Sequence, residues 1–295
     1  MINYYKEFKG YNFIINKNKC ETIFTFDIET TSVVSLNGEI IPAIQYDSFT
    51  DDEKQKCVSL SSMYIWQFGI DENVYYGRTW QEFIDFINYL DFLVPEKKTI
   101  YVHNLSFEFQ FLRNHFEIKK MLSRSTRHVM KFELTDFNIE FRCSLILSNV
   151  ALSKLSKIYN LPVEKLKGDL DYSKIRNSKT TLTEQELKYC ENDCLVLYYY
   201  IKFEKENNFK VPLTFTGHVR EELKSRLDKK YKYKVKKMTS SNPIIYNRMV
   251  QAFAGRLYTC KFYLYRWSNR KCRFIWFCEF IPICYAIRKI SNDRI

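Results

Sequence analysis

The chain has 295 residues, enough to bury a sizeable core, and a formal net charge of +12. With 46% hydrophobic residues, 17% aromatic residues and only 7 Gly and 6 Pro, it is neither a disordered nor a fibrous polymer. The positive balance favours a polyanionic partner, nucleic acid first among them.

The N-terminal stretch MINYYKEFKG lacks the apolar segment of a secretory signal. The most apolar late stretch, residues 274–287, is too short to span a membrane and contains Glu279 and Pro282. The expectation is a non-secreted, cytoplasmic protein without a membrane partner. The nine Cys include no Cys-x-x-Cys pair, and His103, His115, His128 and His218 are scattered, so free thiols are expected rather than a thiolate metal site. Residues 260–295 carry eight Lys or Arg against Glu279 and Asp293, and this +6 is half of the total charge.

No internal repeat or low-complexity linker interrupts the chain. Alternation predicts a strand over Ile23–Glu29 and a second over Ser59–Gly69. Apolar residues at Trp80, Phe83, Ile84, Ile87 and Leu90 predict a helix over Thr79–Leu93. A short strand, Thr99–His103, precedes a helical pattern over Ser106–Phe116. Residues Phe132–Leu147 read as a hairpin broken at Asp136–Asn138. Helices are predicted over Ala151–Tyr159 and Thr183–Phe203, the second opening with the capping pair Thr183 and Glu186. After Pro212 the pattern blurs, and the Lys-rich run from Lys229 to Lys237 reads as a solvated loop. Interleaved strands and helices predict an α/β layer with a mixed sheet.

The first strand ends in TFDIETTS, residues 25–32. Ile23, Thr25, Asp27 and Glu29 share one face, while Phe24, Phe26 and Ile28 enter the opposite layer. Neighbouring carboxylates raise each other's pKa unless a cation lies between them, and hard oxygen ligands suit Mg²⁺ or Mn²⁺. An Asp-x-Glu at a strand end facing solvent would read the same way. Two further carboxylates join the pattern. YVHNLSFEFQFL, residues 101–112, puts Glu108 in the first turn of a helix, where a carboxylate also suits the helix dipole. YCENDCLVLYYY, residues 189–200, sets Tyr189 and Asp193 four apart on one helix face.

The order Asp-Ile-Glu, then Asn-x-x-Phe-carboxylate, then Tyr-x-x-x-Asp resembles the 3′–5′ exonuclease domain of family B DNA polymerases. KLKGDLDYSK, residues 165–174, resembles the protein-primed branch of that family. The resemblance covers residues 23 to about 200. It implies an α/β, ribonuclease H-like exonuclease domain, its mixed central sheet flanked by helices, followed by the start of a polymerase palm region. It implies a pair of Mg²⁺ or Mn²⁺ ions held by Asp27, Glu29, Glu108 and Asp193, one assisting attack by water and one steadying the departing 3′ oxygen. By the same resemblance Tyr189 orients the water and Lys167 assists the chemistry. Thr30, Asn104, Phe107, Ser144, Leu145 and Tyr172 would grip the single-stranded 3′ end of DNA, with a terminal protein primer as a further partner. The second motif of the family ends in Asp, whereas this chain has Glu108, which moves the charge outward by about one methylene and predicts slower excision.

Residues 1–205 are thus expected to form the exonuclease domain, and 206–259 the linker and the start of the polymerase domain. LTFTGHVREELK (213–224) resembles the segment that follows the exonuclease, and AFAGRLYT (252–259) resembles the Tyr-x-Gly-Gly linker, with Phe253 and Arg256 departing from it. The first palm motif, an Asp leading into Ser-x-Tyr-Pro, is expected next and does not occur in residues 260–295. Those residues hold four of the nine Cys and two of the four Trp without clear periodicity. Back-translating residues 259–285 with permitted codons and reading one base later allows DFVSSYP, provided Trp276 is encoded by TGA. The tail is therefore expected to be out of frame, leaving a chain that degrades 3′ ends without extending them. A short basic extension is the alternative for the tail. For the whole chain the alternatives are a stand-alone ribonuclease H-like exonuclease and a non-catalytic DNA-binding remnant.

Overall fold

The computed structural model describes residues 2–125, 127–166, 171, 173–207 and 211–226. Lys167, Tyr172, the Lys-rich run, the linker-like stretch 252–259 and the tail 260–295 lie outside the described residues. Residues up to Gly217 form one compact unit, and the described residues from His218 onward fall outside it.

In chain order the strands are β1 (Asn3–Tyr4), β2 (Ile15–Asn16), β3 (Lys19–Cys20), β4 (Phe24–Leu36), β5 (Glu39–Pro42), β6 (Val58–Ile70), β7 (Asn73–Gly77), β8 (Lys98–Val102), β9 (Ile118–Ser123), β10 (Val129–Leu134) and β11 (Ile139–Cys143). The helices are α1 (Asp51–Lys56), α2 (Trp80–Leu93), α3 (Leu105–Leu112), α4 (Ser144–Ser148), α5 (Leu152–Tyr159), α6 (Glu184–Asn207) and α7 (Phe215–Arg226). Among the described residues a nine-stranded sheet runs β1-β7-β6-β4-β8-β11-β10-β9, with β5 paired to β4 beside it. Pairs β1–β7, β4–β8 and β8–β11 are parallel and the others antiparallel, so the sheet is mixed. The small β2–β3 hairpin stands apart.

The alternation in β4 sorts its side chains between two cores. Phe24, Phe26 and Ile28 join Trp66, Phe68 and Ile70 of β6 under α2, whose Phe83, Phe86, Ile87 and Leu90 are buried there. Phe26 and Phe83 meet at 4.7 Å between ring centroids, and Trp66 and Phe83 at 5.1 Å. Rings in such tilted contact add roughly 0.5–1.5 kcal/mol beyond the area that they bury. The opposite face receives α6, which packs Cys190 and Cys194 against Ile65. Both helices open on a capping pair, the one at Thr183 expected from the sequence and the one at Thr79 found in the structure. The Glu82 and Glu186 amides donate to the Thr79 and Thr183 hydroxyls at 3.2 Å, and each Glu side chain accepts from its Thr amide at 2.9 Å.

Several boundaries differ from expectation. The hairpin expected over Phe132–Leu147 ends at Cys143, because residues 144–148 turn into α4. Helix α3 stops at Leu112 rather than Phe116. Strand β4 continues past Glu29 to Leu36, where β5 and the first half of β6 pair with it. Past Pro212, where no element was expected, α7 forms. Among the described residues no helix is long and apolar enough to cross a membrane. The described cysteines, Cys20, Cys57, Cys143, Cys190 and Cys194, are all free thiols.

Candidate metal centre

Three elements bring the predicted acids to one place. Strand β4 supplies Asp27 and Glu29 from the face that meets α6, one turn of α6 below its middle supplies Asp193, and the start of α3 supplies Glu108. Carboxylate oxygens of Asp27, Glu29 and Asp193 lie within 4.8 Å of one another. Glu108 is not one of those three; its carboxyl lies beside them, in hydrogen-bonding reach of Asp27.

Local backbone features aim these groups. Between Glu29 and Thr30 the β4–β6 register slips, leaving Tyr64 as an extra residue opposite them. Such a bulge bends a strand and re-aims its side chains, which is common beside functional sites. After β8 the chain turns through Asn104 at φ +70°, a left-handed conformation that Asn tolerates, and α3 then starts at Leu105. The tight turn places Glu108 inward while leaving Asn104 exposed and Phe107 40% exposed.

The electrostatics are those of negative charges crowded without enough countercharge. Burial, then Asp193, pushes Asp27 up to about 7 from an ordinary 3.8. Burial first, with Asp27 second, drives both Glu29 and Glu108 well above the usual carboxylate range. Burial also raises Asp193, although Lys165 opposes it. Glu140 shows the contrast: it is 1% exposed, yet Lys131, Arg142 and Lys97 outweigh burial and bring it down to about 2. Two buried oxygens of the acid ring, Glu108 Oε2 and Asp193 Oδ1, lack a hydrogen-bond partner. An all-oxygen donor set, one face half-buried and unmatched lone pairs inside fit a hard divalent cation.

Among the described residues Lys165 pairs directly with one of the four acids, and Arg176 also acts on Glu29. Lys165 Nζ lies 2.5 Å from Asp193 Oδ2 and 5.2 Å from the Tyr189 ring centroid. Although burial lowers its pKa, Asp193, then Asp27 and Glu29, hold it above the ordinary lysine value. The sequence pointed to Lys167 in the same segment; Lys165 was missed, and its only sequence signal is the repeated lysine in KLK.

The expected DNA-gripping residues are divided. Thr30 is half-buried just past the bulge, and Asn104 and Phe107 are exposed on the turn into α3. Ser144 is fully buried, its hydroxyl 2.9 Å from His103 Nδ1 and donating to the Val102 carbonyl at 3.3 Å. Leu145 beside it is half-buried and packs on the α2-side core. Burial, then Lys165, lowers the His103 pKa to about 4, so the ring is neutral.

Residues 90–180 match the family model of DNA polymerase type B, organellar and viral. The chain is therefore similar to that family over a segment that includes Glu108 but not Asp27, Glu29 or Asp193. No curated protein matches the chain. Among solved structures, phi29 DNA polymerase in an orthorhombic crystal form is 18% identical with a TM-score of 0.49, over 72% of this chain and 35% of that one. The phi29 enzyme complexed with single-stranded DNA is 17% identical with a TM-score of 0.45, over 64% and 32%. The chain spans about a third of the length of the polymerases that it resembles.

Proposed function

We propose that the four acids hold a pair of Mg²⁺ or Mn²⁺ ions and that the chain removes nucleotides from the 3′ end of single-stranded DNA. In this reading residues 1–205 are the exonuclease domain of a protein-primed type B polymerase. The observation that carries it is the convergence of Asp27, Glu29, Glu108 and Asp193 from three elements far apart in sequence, with raised pKa values and unmatched oxygens. Similarity of residues 90–180 to type B DNA polymerases supports the substrate class. Such ions would supply charge neutralisation and water activation for an in-line displacement at phosphorus.

The chain's own groups have distinct parts in this scheme. Asp27, Glu29, Glu108 and Asp193 are the ligands. Tyr189, on the α6 face that carries Asp193, orients the attacking water. Lys165, together with Lys167 from the same segment, offsets charge as it develops on the scissile phosphate. Phe107 offers an exposed ring on which a terminal base stacks, a contact worth roughly 1–3 kcal/mol. Asn104 and Thr30 would share in holding that end, Leu145 would add apolar contact, Ser144 holds the turn through His103, and Tyr172 would belong to the same grip.

A 5′-labelled single-stranded oligonucleotide tests the reading. DNA shortened from the 3′ end only with Mg²⁺ or Mn²⁺ supports it, and faster shortening of RNA would favour a stand-alone ribonuclease H-like exonuclease. Binding without degradation would favour a DNA-binding remnant. The nucleotide sequence through codons 259–285 separately tests the one-base shift.

A further inference from the structure

The floor of the acid ring contains a group that neither the fold nor the proposed chemistry has used. Gln67 of β6 pairs directly with Asp27 of β4 in the antiparallel ladder. Residues so paired share a face, with Cβ atoms about 4.5–5.5 Å apart. Gln67 is 0% exposed, and neither its amide nitrogen nor its amide oxygen has a hydrogen-bond partner. The Cys190 thiol facing it from α6 is a weak partner at best.

Folding alone does not explain a polar side chain here. Ile65, two residues earlier on the same face of β6, is fully buried and apolar, and Gly69, two residues later, leaves room for Thr25. A Met or Leu at 67 would continue that layer, whereas a buried amide without partners costs roughly 1–3 kcal/mol. Thr25 Oγ1, two pairs further along on the same face, is buried and unpartnered as well. Polar capacity therefore lies unspent directly beneath Asp27.

We propose that Gln67 is a positioning residue for the cation site: its amide N–H donates to the Asp27 carboxylate oxygen that does not bind the ion, fixing how Asp27 presents the other. Ligating carboxylates are ordinarily held by such an outer hydrogen bond, and losing one typically weakens metal binding 10- to 100-fold. The inference rests on the cation site proposed above.

The test compares wild type with Gln67→Met, which keeps length and removes the amide. Three readings are taken: Tm in EDTA, Mn²⁺ affinity by titration calorimetry, and the Mn²⁺ concentration giving half-maximal nucleotide release. The expected result is an unchanged or higher Tm without metal, together with Mn²⁺ binding weakened 10- to 100-fold and the half-maximal concentration raised in step. A lower Tm, or failure to fold, with Mn²⁺ affinity unchanged or unmeasurable would make Gln67 a packing residue and overturn the inference. Wild type that binds Mn²⁺ through Asp27 but releases no nucleotide would sink the exonuclease reading alone, since calorimetry still decides the part of Gln67. Wild-type binding that Asp27→Ala leaves intact would sink both.

Discussion

Lys165 reaches the acid ring from the loop before α6 and pairs with Asp193, its ammonium poised over the Tyr189 ring. Among the described residues its ammonium is the cation paired directly with one of the four carboxylates, and all four still stand above their ordinary pKa values, so it compensates the ring only in part. Replacing it should therefore show most clearly without metal. Lys165→Met is expected to lower Tm in EDTA at pH 7.5 by several degrees, because the buried Asp193 then lacks a partner. Saturating Mn²⁺ should recover most of the loss. Thermal unfolding with and without Mn²⁺ checks this, and an equal loss in both conditions would contradict it.

The raised carboxyl pKa values fix the sign of a pH effect. Asp27 stands near 7 in the folded chain and near 3.8 when unfolded, so the folded state holds a proton that the unfolded state releases between those values. Metal-free stability should therefore fall as pH rises from about 4 to 7, by about 1.4 kcal/mol per unit for that group. Asp27→Asn should flatten this slope, as should saturating Mn²⁺ in wild type. Urea unfolding across that range makes the comparison.

Glu108 bears on the rate. Its carboxyl lies beside Asp27, and its departure from the family's Asp lengthens the arm by one methylene. Glu108→Ala should reduce nucleotide release at least about 100-fold, in line with the loss of a group acting directly at the reacting centre. Glu108→Asp should preserve or increase the rate. Undiminished activity in Glu108→Ala would remove this residue from the site.

Gly69 matters to the strand that carries Asp27. A Cβ there would collide with Thr25 Oγ1 on the facing strand. Gly69→Ala should destabilise the protein by about 1–3 kcal/mol, as overpacking does. Adding Thr25→Ala should restore much of that, and denaturant unfolding of the single and double variants measures the coupling.

How much the sequence revealed depended on how local each cause was. The alternation in residues 23–29 predicted both the strand and its two faces, because a period of two is local: Phe24, Phe26 and Ile28 enter one core and Ile23 another. The capping pair at Thr183 marked the start of α6 for the same reason, and the apolar spacing from Trp80 to Leu90 marked α2. The acids were legible through residue type and order, and the structure does bring Glu108 and Asp193 beside Asp27 and Glu29. The bulge opposite Glu29, by contrast, arises from pairing with a strand some 35 residues later and leaves no local mark. Gln67 was invisible because its interest comes only from the residue across from it. The turn from β11 into α4 was missed because Cys143–Leu147 alternates acceptably as a strand until Ser144 is seen to bond back to His103 and Val102.

The most direct test of the central claim is anomalous diffraction from crystals soaked with Mn²⁺ and a short single-stranded oligonucleotide whose 3′ linkage resists cleavage. The account predicts Mn²⁺ peaks enclosed by Asp27, Glu29, Glu108 and Asp193, with the 3′-terminal phosphate against them. Crystals that hold the oligonucleotide elsewhere, with no Mn²⁺ between those carboxylates, would contradict it.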